Sequence, residues 1–227
     1  MDAKGLMRIV TWNCRRGRLA IKRAALEALG ADILVLTEAS RPASNESDVL
    51  WFGEGKYGVA VIAKPPFVIN RADSSPLPCV YPISVSGPET FTLFSVWTWE
   101  APTYKGALLN GLDAYANLPK PWVVAGDFNG NVCFDRPRAK AKWRDCFARL
   151  ESEGLVSAYH AHTGSVPGKE PDPTHYFRTH QDKPFHIDYC YIPAAWVPRL
   201  AEVKVASFNE FAALSDHRPL SITLRTT

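Results

Sequence analysis

Residues 123–129 read VVAGDFN. A run of small apolar residues stops at the carboxylate of Asp127, and a carboxamide follows at Asn129. A continuous apolar run of this length suits a strand buried on both faces. A charge at the end of such a strand is costly unless it is paired, hydrogen-bonded or bound to metal. The reading therefore turns on whether other strands end in the same way.

They do. Met7–Trp12 (MRIVTW) reads as a strand and ends at Asn13. Ile33–Thr37 (ILVLT) is a second and ends at Glu38. His186–Ile192 carries Asp188 inside an otherwise apolar strand, and Ser215-Asp216-His217 precede a last strand, Leu220–Leu224. A single buried polar group is most simply a satisfied core residue. Several carboxylates and a histidine at the mouth of one sheet point instead to a shared site. Glu38, Asp127, Asp188 and Asp216 gather enough negative charge to need a divalent cation. Ligation by carboxylate, amide and water favours Mg²⁺ or Mn²⁺ over zinc. His217 beside them is a natural general acid, base or phosphate-oxygen donor.

Around these motifs, Leu19–Leu29 has helical spacing, with Gly30 as its stop. Helices are also expected over Tyr104–Leu118 and Arg138–Glu153. Tyr57–Ala63 and Phe67–Asn70 read as a hairpin. Val80–Val85 and Thr90–Thr98 read as strands joined by Ser86-Gly87-Pro88, and Val203–Phe208 as a further strand. Arg41–Lys56 is expected to be an exposed excursion and Thr163–Pro173, rich in Gly and Pro, a loop. Strands outnumber helices and come in runs. This predicts a mixed α/β domain with two sheets, a single domain over residues 1–227, rather than a singly alternating βαβ fold.

The 227 residues suffice for one sizeable core, and a net charge of +3 carries no strong signal for nucleic acid or acidic membranes. Five scattered cysteines without a CxxC pair fit reduced thiols. The N-terminal MDAKGLMRIV lacks the apolar run of a signal peptide, and no stretch approaches membrane-spanning length. The expectation is a soluble, cytoplasmic protein with no stable membrane association.

The ordered set TWN (11–13), TE (37–38), GDFN (126–129), HIDY (186–189) and SDH (215–217) resembles the endonuclease/exonuclease/phosphatase family. The resemblance spans almost the whole chain. It implies a four-layer sandwich, two mixed β-sheets face to face with helices outside, and hydrolysis of a phosphoester by a metal-assisted water. It further implies that Glu38 is the main metal ligand with Asn13 beside it and Asp216 near the metal or the water. Asp127 then orients or deprotonates that water. Asn129 and His217 donate to the phosphate, His217 held by Asp188.

This sequence departs from the family pattern twice. Trp97 stands where many members carry a histidine, so that either this phosphate contact is absent or Tyr104, otherwise a surface residue at a helix start, supplies it. Arg15 stands where abasic-site endonucleases have an acidic residue. Arg15, Arg16, Arg18 and Arg136 follow motif strands and suit a phosphate backbone. Lys22, Lys140 and Lys142 read as solvated helix faces.

Trp99, Trp143 and Trp196 suit either base stacking or core packing, the latter being commoner. His160 and His162 read as loop or surface residues, whereas His175 and His186 flank the HIDY strand and so stand near the cleft. The leading expectation is a nuclease, with DNA ahead of RNA as substrate. The alternatives are a phosphodiesterase or phosphatase for a small-molecule or lipid ester, and a catalytically silent binding module.

Overall fold

A computed structural model describes residues 5–16, 19–42, 49–99 and 104–227. Along the first strand, β1 (Leu6–Asn13), Met7 and Ile9 pack on one side and Val10 and Trp12 on the other. This is the two-residue pleat of a strand buried on both faces. The following elements are α1 (Leu19–Ala28), β2 (Ile33–Ser40), β3 (Val49–Phe52), β4 (Tyr57–Ala63), β5 (Val68–Arg71), β6 (Val80–Ser86), β7 (Phe91–Trp97) and α2 (Tyr104–Ala114). Next come β8 (Trp122–Asp127), α3 (Trp143–Ser152), β9 (Leu155–Ser157), α4 (Ala158–Thr163), β10 (His175–Tyr176) and β11 (Pro184–Phe185). The chain closes with β12 (Asp188–Pro193), β13 (Leu200–Val205), α5 (Phe208–Phe211) and β14 (Leu220–Arg225).

The larger strands form two six-stranded mixed sheets, ordered β13-β14-β1-β2-β4-β3 and β5-β6-β7-β8-β12-β9. Each is antiparallel except at one internal parallel pair, β1–β2 in the first and β7–β8 in the second. Ile9, Ile33, Val35, Val61, Ile83, Leu93, Val123, Ala125, Cys190 and Ile222 pack between the sheets. Leu26 of α1 and Phe211 of α5 cover the outer face of the first sheet, and Leu108, Leu112, Phe147 and Leu150 of α2 and α3 that of the second. The result is the four-layer sandwich expected from the motifs.

Four local expectations are corrected. Tyr57–Ala63 and Phe67–Asn70 do not form a hairpin. β4 pairs with β2 and β3 in one sheet and β5 with β6 in the other, so the prolines at 65 and 66 lie where the chain crosses between sheets. The segment expected to be an excursion contains β3, paired to β4; residues 43–48 lie outside the described residues. Phe208 leaves the sheet and opens α5, where Glu210 accepts hydrogen bonds from the backbone and hydroxyl of Ser207. The third long helix starts at Trp143 rather than Arg138, because Asp135 accepts hydrogen bonds from the backbone N–H of Trp143 (2.6 Å) and Arg144 (3.1 Å).

Candidate active site

The pleat decides where the polar strand ends point. In β8, Val123 and Ala125 face the partner sheet, so Asp127 faces it too. In β12, Cys190 and Ile192 face inward, and Asp188 shares their side. Asn13 shares the side of Met7 and Ile9. Three polar residues are thereby delivered to one mouth of the sandwich by periodicity alone.

Glu38 needs more than the pleat. Leu34 and Leu36 point to the outer side, which Glu38 would follow in a regular strand. Instead Glu38 takes a left-handed backbone (φ 49), and the β2–β4 register shifts between Leu36 and Ala39. Such bulges re-aim a side chain. Glu38 then accepts a hydrogen bond from the Asn13 amide at 3.3 Å. Arg15, Arg16 and Asn129 also have positive φ (44, 53 and 49). Left-handed non-glycine residues cost on the order of 1–3 kcal/mol each, and they cluster at functional sites.

Asp127 is the hub. Its carboxylate accepts from Asn13 Nδ2 at 2.8 Å, from the Asn129 backbone at 2.8 Å and from Asn129 Nδ2 at 3.0 Å. The glycine before it is required: a Cβ on Gly126 would stand 1.8 Å from the Val96 carbonyl, in a φ 150 backbone. Gly130 likewise leaves room for the Trp143 ring.

His217 Nδ1 meets Asp188 Oδ2 at 2.8 Å. The turn before it is pinned from two directions. Ser215 Oγ donates to the Asn13 carbonyl (2.8 Å) and accepts from the His217 N–H (3.0 Å). Fully buried Arg218 donates to the carbonyls of Ser215 and His217, both at 2.8 Å. One ligand atom from each of Asp127, Asp188 and His217 lies within 4.8 Å of the others. His175, Asp216 and His217 form a second such group at the rim.

The electrostatics follow. Burial and the neighbouring Asp188 raise Asp127 to about 7, against the opposing pull of His217 and the Asn13 amide. Burial works against a charged His217, but Asp188 and Asp127 outweigh it and hold the ring cationic up to about 9. His175, its ring 4.4 Å from that of His217, is pushed down to about 4 by burial and by that cation. The outer carboxylates have arginine partners: Arg15 Nε lies 3.6 Å from Asp216, and Arg16 Nε lies 3.4 Å from Glu38. Both arginine side chains are half exposed or more.

The chain's own motifs thus converge: Asn13, Glu38, Asp127, Asn129, Asp188, Asp216, His217, Arg15 and Arg16 share one mouth. Two expected substrate contacts are not brought into it. Tyr104 is exposed at the first residue of α2 and Arg136 is exposed in the loop before α3, neither with a contact to the carboxylates among the described residues. Arg18 lies outside the described residues. Lys22 is a correction. It is not a solvated helix face but 4 % exposed, donating to the Cys14 carbonyl with its ammonium 5.1 Å from the Trp12 ring. The break of charge on the apolar side of α1 was its signal. His186 is buried against Tyr159 rather than facing the mouth, and His160 pairs with Glu170 at 3.1 Å. Trp143 and Trp196 are core residues, whereas Trp99 is exposed.

A model of the Endonuclease/Exonuclease/phosphatase family matches residues 10–217. The chain belongs to that family. Its members are hydrolases of phosphoester bonds and generally use a divalent metal. No curated protein matches the sequence. Similar solved structures include three of this fold. The endonuclease domain of TRAS1, a telomere-specific non-LTR retrotransposon, is 17 % identical with a TM-score of 0.71, covering 98 % of this chain and 99 % of its own. The 3′ phosphatase NExo from Neisseria, bound to product DNA hairpin, is 20 % identical (TM-score 0.68; 95 % and 98 %). The AP endonuclease LMAP from Leishmania major is 15 % identical (TM-score 0.71; 100 % and 90 %). At these identities the likeness establishes the family fold.

Proposed function

We propose that this family member is a divalent-metal-dependent phosphodiester hydrolase, a nuclease whose substrate is DNA. The observation that carries the reading is the buried Asp188–His217 pair set against Asp127, with Glu38 and Asn13 beside it.

The residues present fit a hard cation. Glu38, Asp216 and the Asn13 amide offer oxygen donors, and buried Asp188 Oδ1 has no hydrogen-bond partner among the described residues. The arginines now beside Glu38 and Asp216 sit at long distances and are exposed enough to exchange these partners for a substrate phosphate. Glu38 would hold the ion, with Asn13 adjacent and Asp216 at the rim. Mg²⁺ or Mn²⁺ so held supplies Lewis acidity at the phosphoryl oxygen and a more acidic water.

The protein's own groups do the rest. Asp127, raised by burial toward neutral pH, is matched to accept a proton from water held against it. Asn13 and the Asn129 backbone fix its orientation. His217, cationic at neutral pH, presents its other ring nitrogen to the negative charge that builds on phosphorus, as Asp188 fixes the ring and its tautomer. Arg15 and Arg16 bind flanking phosphates, which is how nucleic acids are gripped irrespective of sequence. DNA as substrate draws support from the DNA-directed names of the similar structures.

The test is hydrolysis of supercoiled plasmid, a single-stranded oligonucleotide and a bis-aryl phosphodiester with Mg²⁺, Mn²⁺ or EDTA, beside Asp127→Ala. Metal-dependent DNA cleavage lost in the variant supports the reading. Cleavage of the small diester alone moves the substrate away from nucleic acid, and no hydrolysis of any of them sinks the proposal.

A further inference from the structure

β7 runs into Trp97-Thr98-Trp99, and the indoles of Trp97 and Trp99 stack on each other. Thr98 between them is locked to the GDFN turn. Its N–H donates to the Asp127 carbonyl at 3.1 Å, its hydroxyl donates to the Phe128 carbonyl, and its own carbonyl accepts from Asn129 Nδ2 at 2.9 Å. Trp97 is the parallel-register partner of Asp127. Trp97 therefore shares the sheet face of Asp127, and Trp99 stacks on it.

Packing alone leaves two features unexplained. Trp97 is 7 % exposed, yet its Nε1–H is buried without a hydrogen-bond partner among the described residues. A buried donor in that state is rare, and an indole N–H can only donate. Trp99 is 44 % exposed although it is rigidly backed. It lies on Trp97 with ring centroids 5.4 Å apart and planes 26° apart. Burial raises the neighbouring Tyr81 phenol above its ordinary range, against a smaller opposing pull from Trp99. Tyr81 in turn stacks on Phe52 at 5.0 Å. A preorganised indole edge at a phosphate-handling centre, with Arg15 and Arg16 at the same mouth, offers complementary chemistry for a base and its phosphate.

We propose that Trp97 and Trp99 form a nucleobase subsite of this centre. A base next to the scissile phosphate stacks on the exposed side of Trp99, with the buried Trp97 ring as its fixed backing. The inference rests on the phosphodiesterase reading above and narrows its substrate to a strand whose bases are unstacked at the cleavage position. It predicts tolerance of sequence, since every base offers a π-face.

The experiment compares two single-stranded oligonucleotides of equal length, one with all its bases and one with tetrahydrofuran abasic residues flanking the scissile linkage. The wild type, Trp99→Ala, Trp99→Phe and Trp97→Phe are measured with Mg²⁺ for kcat and KM, and in EDTA for binding by fluorescence anisotropy. The expected wild-type KM is about tenfold or more lower for the base-bearing strand, the scale of one stacked base. Trp99→Ala should raise KM about tenfold more on the base-bearing strand than on the abasic strand and so erase that preference, and Trp99→Phe should keep most of it. Trp97→Phe keeps an aromatic backing for Trp99 and should weaken the preference less than Trp99→Ala does.

Equal wild-type KM values, or a Trp99→Ala effect of the same size on both strands, overturn the stacking role. If the wild type cleaves neither strand, the phosphodiesterase reading fails separately. Binding in EDTA still decides the subsite: a base preference abolished by Trp99→Ala supports it, and no preference overturns it.

Discussion

Asp127 and Asp188 stand directly opposite each other on antiparallel strands β8 and β12, both facing the space between the sheets. Like charges so placed destabilise each other unless a cation intervenes. His217 is the cation the fold provides, bonded to Asp188 and held charged by both carboxylates. Asp188→Asn keeps the shape of the pair but removes the charge that holds the imidazolium. The expected result is a loss of about 10²–10³ in kcat, the usual scale for one positioned electrostatic donor, with little change in KM. Steady-state kinetics of this variant beside His217→Ala check it, and near-wild-type turnover by either would remove the pair from the mechanism.

Glu38 reaches the site through a strained bulge rather than through packing, so replacing it should spare the fold. Glu38→Gln is expected to weaken Mg²⁺ or Mn²⁺ binding by about tenfold or more while the denaturation midpoint stays close to the wild type. Isothermal titration with the metal alone reads the first and urea unfolding the second. A metal affinity identical to that of the wild type would place the cation elsewhere.

Lys22 closes the back of the same mouth. Its ammonium satisfies the Cys14 carbonyl, one residue past Asn13, and burial lowers its pKa against the pull of Cys14 and Asp216. Lys22→Met should leave that carbonyl unsatisfied, at about 1–3 kcal/mol of folding stability. It should also raise KM by loosening the turn that carries Arg15 and Arg16. Unfolding curves and kinetics measured together separate this from a surface lysine, for which neither would move.

Glu170 provides a pH signature away from the candidate metal site. It accepts from the Gly168 backbone at 3.0 Å and pairs with His160, and these bonds overcome burial and lower its pKa to about 2. A carboxylate depressed in the folded state contributes stability above its unfolded value, near 4.5, and loses it as pH falls through about 2. The wild type should therefore exceed Glu170→Gln in stability at pH 6, with the gap shrinking between pH 4.5 and 2. A gap independent of pH would show that the bond, not the charge, matters.

Gly126→Ala tests the turn that opens GDFN. The added methyl would meet the Val96 carbonyl in a backbone that L-residues avoid. The expected cost is about 3 kcal/mol or more, read as a large drop in the urea midpoint or failure to fold.

Much of this arrangement was legible in the sequence. The pleat of a strand has period two, so a polar residue in phase with inward-facing neighbours must also face inward. Asn13, Asp127 and Asp188 follow from MRIVTWN, VVAGD and IDYCYI on that ground alone. Two sheets in a mixed α/β domain follow from continuous apolar strands in runs interrupted by few helices, and the four-layer arrangement from the resemblance carried by the motifs. Tertiary structure decided what depends on residues far apart in the chain. Glu38 turns inward only because β2 slips its register against β4, and Lys22 is buried only because α1 lies over the end of β1. The supposed hairpin after Tyr57 opened because β4 and β5 each found a better-matched edge in a different sheet. Trp97 and Trp99 gained their place beside Asp127 from the parallel pairing of β7 with β8. Local periodicity is written in neighbouring residues, whereas strand partnership is settled by which surfaces bury each other, and that leaves no local trace.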